Sequence, residues 1–131
     1  MTAETFSARL SRRVRDLDSV VCVGIDPRAE SIPASLFESS DRAPAAVARA
    51  FVAFSEAVFD ATASTAACVK PQAAFFEALG ADGAAAFALV CEGARRRGIP
   101  VIADVKRGDI GSTAQAYAEG YLAPIGGRPP G

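Results

Sequence analysis

VIADVKRGDIGST, residues 101–113, begins as a short apolar run and turns abruptly into charge. With Pro100 in front, the run PVIADV over 100–105 reads as a strand buried on both faces. Side chains two apart on a strand share a face, so Asp104 and Lys106 point to one side, and Asp109 follows in the turn. The result is a D-x-K-x-x-D cluster at the mouth of a strand. Unpaired charges lose hydration there, so they must pair with one another or with a ligand.

Working outward, the same pattern recurs twice upstream. SVVCVGI, residues 19–25, is a β-branched apolar run closed by Asp26 and Pro27, and ACVK, residues 67–70, is a short strand stopped by Pro71. Between them Pro44 suits a first helical position, and Val47, Phe51, Phe54 and Val58 recur on one helical face. Phe75, Phe76 and Leu79 predict a brief helical turn capped by Gly80. Asp82 is the expected N-cap of a helix with the apolar stripe Phe87, Val90, Cys91 and Ala94, ending in Arg95, Arg96 and Arg97 before Gly98. A further helix is expected over 112–122. Phe6, Leu10, Val14 and Leu17 predict an amphipathic N-terminal helix, a lid or plug, with arginines between them.

Strands alternating with helices indicate a parallel sheet covered by helices, either a barrel or an open sheet. Asp26, Lys70, Asp104 and Lys106 all fall at strand C-terminal ends, where both architectures place their sites. No glycine-rich dinucleotide loop follows the first strand, which favours the barrel. The expected fold is therefore α/β, a partial TIM (β/α)8 barrel of about three β/α units preceded by an N-terminal helix.

Composition narrows the chemistry. The 131 residues carry a net charge of −1, without the basic excess that nucleic acid binding demands. No stretch is long and apolar enough for a membrane span, and no signal h-region opens the chain, so a cytoplasmic location is expected. Cys22, Cys68 and Cys91 sit singly in apolar surroundings and read as core fillers. Histidine is absent, so acid–base chemistry falls to carboxylates, lysines or thiols. Of the 14 basic residues only Lys70 and Lys106 are lysines, both at strand ends. Arginine stays protonated, whereas an ammonium can give up a proton when its surroundings tune it.

On the residues alone two readings of Lys70, Asp104, Lys106 and Asp109 stand: an ion-pair network that fixes geometry, and an acid–base site. Asp26 reads equally as a turn residue before Pro27, and Thr113 as a helix cap. The arginine runs read as solvated helix faces.

VIADVKRGDIGST resembles the signature D-x-K-x-x-D-[IV]-[AGP]-x-T of the orotidine 5'-phosphate decarboxylase family. VGIDP at 23–27 and VKPQAAFFEALG at 69–80 are similar to its bacterial branch with the longer chain. The resemblance covers nearly everything before about Leu122. It implies decarboxylation of orotidine 5'-phosphate to uridine 5'-phosphate in pyrimidine synthesis, without metal or organic cofactor. Lys106 would be the proton donor to C6, Asp104 would lie beside the departing carboxylate, and Lys70 would complete the charged network. Asp109 and Thr113 would reach the partner subunit's site in a homodimer, and Asp26 would contact the ribose.

Residues 1–122 are expected to be the N-terminal portion of the barrel, and APIGGRPPG at 123–131 a disordered tail. A complete barrel takes about 250 residues and binds phosphate at loops after strands seven and eight. A chain with three strands is thus expected to be truncated and impaired. The alternatives are an inactive fragment that only self-associates, and a related magnesium-dependent sugar-phosphate decarboxylase or aldolase.

Overall fold

The computed structural model describes residues 4–122; the tail expected over 123–131 lies outside the described residues. The chain opens with α1, Phe6–Leu17, started by Thr5, whose hydroxyl accepts from Ala8 N at 3.3 Å. Leu10, Val14 and Leu17 are half-buried, and so is Arg13 beside them. The Arg13 guanidinium donates to Ala63 O at 2.7 Å and to Ala66 O at 2.9 Å. Ala66 opens the second strand and Ala63 lies in the turn leading into it, so the amphipathic helix plugs the end of the sheet opposite Asp104.

Strand β1, Val21–Ile25, pairs in parallel with β2, Ala66–Pro71, after an irregularity between Val21 and Cys22. β2 is buried at every position but Lys70, as a central strand should be. β1 departs from its expected burial, since only Ile25 is buried and Val21 remains 49 % exposed. Among the described residues β1 has β2 on one side and no strand on the other, which leaves it open.

Residues 100–105 run parallel to the other edge of β2, but as two isolated bridges, Val69 to Val101 and Gln72 to Asp104. Proline explains the gap. Val69 N donates to Pro100 O and Ile102 N to Val69 O, at 3.0 and 2.8 Å. Asp104 N then donates to Pro71 O and Ala73 N to Asp104 O, each at 3.1 Å. The rung between these pairs would need an N–H on Pro71, which has none. The expected third strand is therefore present in direction and register but broken at its middle rung.

Helix α2, Pro44–Thr62, starts with proline at its first turn and buries Val47, Phe51, Ser55 and Phe59. The short α3, Ala73–Glu77, leads into α4, Gly80–Arg96. α4 begins earlier than expected. Leu79 occupies the N-cap and Asp82 sits in the first turn, where its charge complements the helix dipole instead of capping. Its buried face is Gly83, Ala86, Val90, Gly93 and Ala94, while Phe87 and Cys91 are only half-buried. Small residues let α4 approach its neighbours: a Cβ on Gly83 would lie 1.7 Å from Phe76 O. At the far end Gly98 is left-handed (φ 68°), and Ile99 N closes the helix by donating to Ala94 O at 3.0 Å.

Arg96 and Arg97, expected on a solvated face, tie α4 to α2. Arg97 pairs with Asp60 at 2.7 Å and with Glu56, and Arg96 reaches Glu56 at 3.4 Å. Phe76 sits at the centre of the core, its ring edge-on to Phe51 and Phe87 at 5.7 and 5.5 Å. Val69 and Ile25 from the strands, and Ile99 from the turn after α4, join the same cluster. Both α2 and α4 thus cover one face of a sheet whose strands follow in sequence order, the winding of a barrel wall. The last helix, α5, Gly111–Leu122, buries no residue.

Candidate active site

Alternation along the strands separates core from chemistry. Val69 and Ile25 face the helices, and the intervening positions face the other way. On that second face the register sets Lys70 beside Gly24, and Gln72 beside Asp104. Asp26 stands exposed one step past Ile25, at the level of Gln72. Strand pairing therefore brings together residues that lie tens of positions apart in the chain.

Asp104 is the hub. Its Oδ1 accepts from Lys106 Nζ, and its Oδ2 accepts from Gln72 Nε2 at 2.8 Å and from Lys70 Nζ at 3.5 Å. Its backbone is clamped at both N and O by the junction of β2 and α3. The side chain of Asp104 is 22 % exposed, that of Lys106 73 %. The carboxylate is thus the anchored partner and the ammonium faces solvent. Lys106 beside it, with Lys70 behind, holds the Asp104 carboxyl below the usual carboxylate range. It is a carboxylate at neutral pH, and the two lysines offset its charge.

Lys106 itself is in the left-handed region (φ 44°), a conformation that costs a non-glycine residue about 1 to 2 kcal/mol. The next residue supplies the compensation. Arg107 donates to Val105 O at 2.6 Å and pairs with Glu77 of α3, fixing the turn from outside. Neither Arg107 nor Glu77 was marked as part of the site by sequence, because the pair joins a turn to a helix 30 positions away.

Asp109 and Thr113 stand apart from this cluster. Asp109 Oδ1 accepts from Ile110 N at 2.8 Å, and Thr113 is exposed near the start of α5. Among the described residues no hydrogen bond joins either to Lys70, Asp104 or Lys106. Gln72 is the residue that sequence reasoning missed. Its signal was the two-residue step from Lys70, which puts both side chains on one strand face.

The cysteines are also less separate than expected, since Cys22 and Cys68 are register partners on β1 and β2. Burial pushes the Cys68 and Cys91 thiols up to about 11, so both stay protonated; of the three expected core fillers Cys68 is buried, Cys91 is half-buried and Cys22 is exposed. A groove of about 1230 Å³ lies away from Asp104. Val101 and Ala103 line it from the opposite face of 100–105, together with Phe87, Cys91 and Tyr121. It is the space enclosed by α1, α4 and the end of α5.

A parallel sheet with helices over one face and a lysine–aspartate cluster at its strand C-terminal ends is the arrangement of a β/α-barrel wall. Comparison with known proteins makes this specific. The family model described as "Orotidine 5'-phosphate decarboxylase / HUMPS family" matches residues 19–126. An orotidine 5'-phosphate decarboxylase of Rhodopirellula baltica is 46% identical over 119 residues, covering 90% of this chain and 39% of that protein. Its counterpart in Streptomyces coelicolor is 44% identical over 119 residues, with 91% and 40% covered. The solved structure of Leishmania donovani OMP decarboxylase superposes with a TM-score of 0.70 at 37% identity, over 91% of this chain and 40% of that one. The chain belongs to the orotidine 5'-phosphate decarboxylase / HUMPS family, and its fold is a partial TIM (β/α)8 barrel. It spans about two-fifths of the length of the curated relatives it matches.

Proposed function

We propose that this chain carries the acid–base strand of an enzyme that decarboxylates orotidine 5'-phosphate to uridine 5'-phosphate in the cytoplasm, for pyrimidine synthesis. The observation that carries the reading is the Lys70–Asp104–Lys106 cluster at the strand ends of a chain in this family. Loss of carbon dioxide leaves an electron pair on C6 of the pyrimidine. The Lys106 ammonium stabilises that charge and then donates its proton to the carbon. Asp104 stands beside the departing carboxylate and holds the ammonium in place, and Lys70 balances its charge. The chemistry needs no metal or organic cofactor.

Asp26 contacts the substrate ribose. Asp109 and Thr113 serve the partner subunit's site in a homodimer, a role consistent with their exposure and their separation from Asp104. The 131 residues alone turn over little substrate, because the phosphate grip of a barrel lies in loops after strands seven and eight.

The test is the loss of orotidine 5'-phosphate absorbance on addition of purified protein, with and without a chelator. The chain alone should be nearly inactive, and the chain joined to the remaining β/α units of a relative should turn over at a rate the chelator does not change. Strict dependence on added magnesium in the joined protein would refute this reading.

A further inference from the structure

The two oxygens of Asp104 are not equivalent. Oδ1 receives Lys106, while Oδ2 is shared by Gln72 Nε2 at 2.8 Å and Lys70 Nζ at 3.5 Å. Gln72 is half-buried and held from several sides. Its Oε1 accepts from Ala74 N at 3.4 Å, at the start of α3, and its backbone N donates to Ile25 O at 3.1 Å. A planar amide whose oxygen is engaged has one direction left for its N–H groups, and that direction is Asp104.

We propose that Gln72 is a positioning residue: its amide fixes the rotation of the Asp104 carboxylate so that Oδ1 is presented to Lys106, and thereby sets where the Lys106 ammonium stands. The inference rests on the reading of Asp104 and Lys106 as the reacting pair. Lysine is a compact charge on a flexible stem, with three donors that turn freely. A carboxylate between two such groups has no preferred rotation of its own. The amide, fixed by α3, supplies one. Lys106 depends on this, because among the described residues its ammonium has Asp104 as its one side-chain partner. Asp26 follows the end of β1, and Arg107, the next residue, is paired with Glu77.

A double-mutant cycle read by carbon-13 NMR of the Asp104 carboxyl in the 131-residue chain tests the proposal, and it requires no turnover. Gln72→Leu removes the donor at similar size and should move the Asp104 titration midpoint upward. Lys106→Ala should also move it upward in the parent, and by clearly less in the Gln72→Leu background, where the ammonium has already lost its fixed position. Gln72→Met provides a second background of similar length, with the amide spectrum of β2 and α2 as the check on folding. Equal effects of Lys106→Ala with and without Gln72 would overturn the proposal. Failure of the decarboxylase reading would appear separately, as absence of turnover in the joined protein.

Discussion

Asp104 accepts from three side-chain donors with two oxygens, and that crowding has a definite sign with pH. Its folded-state pKa lies below the ordinary value, chiefly through Lys106. The stabilisation is therefore present above the unfolded carboxylate value of about 3.9 and is lost as pH falls through the lower folded value. Urea denaturation of the parent and of Asp104→Asn should show the parent's advantage intact at pH 6 to 7 and shrinking below about pH 4. A constant difference across that range would mean that the carboxylate's charge contributes nothing. Part of the cluster was legible in the sequence, whereas Asp109, grouped with it there, stands apart. Asp104 and Lys106 share a face because they lie two apart on a strand, and Lys70 was marked by being a lysine at a strand end. Gln72 was not, because its role depends on the register that sets it against Asp104.

Helix α4 is positioned by what its side chains lack. A Cβ on Gly83 would meet Phe76 O at 1.7 Å and Leu79 Cβ at 2.9 Å, so α4 could not keep its approach to α3. Gly83→Ala should cost about 1 to 3 kcal/mol in chemical denaturation, the range for overpacking a close contact. An Ala variant of parental stability would show that α4 can slide. Phe59 of α2 is fully buried, and Phe59→Ala should cost about 3 to 5 kcal/mol by the same measurement, leaving a cavity between the helices. The helices themselves were legible from periodicity and end signals such as Pro44 and Gly98. The start of α4 was not, because Asp82 fits a first turn as well as an N-cap. Pro71 likewise reads from sequence as a strand stop, whereas its missing N–H also splits the next strand's pairing into two bridges.

At the scale of the whole molecule the sheet is open on both edges among the described residues. Val21 on β1 is 49 % exposed and Ile102, on the 100–105 edge, is 37 % exposed. Open edges with apolar side chains recruit further strands. Light scattering after size exclusion should show concentration-dependent self-association of the chain alone, and a monodisperse species once the remaining β/α units are joined. A chain that stays monomeric at every concentration would contradict that account. The composition and the strand–helix alternation showed the barrel wall in advance. They did not show that β1 would be exposed, because burial of an edge strand depends on neighbours that its own residues do not specify.

The most direct test of the central claim is single-turnover decarboxylation of orotidine 5'-phosphate by the joined protein carrying Lys106→Arg. Arginine keeps the positive charge beside Asp104 but cannot release a proton near neutral pH. With Lys106 as the proton donor, the rate should fall by about 10² to 10⁴-fold, the usual contribution of a positioned acid. Decarboxylation by the Arg variant at the parental rate would contradict the assignment.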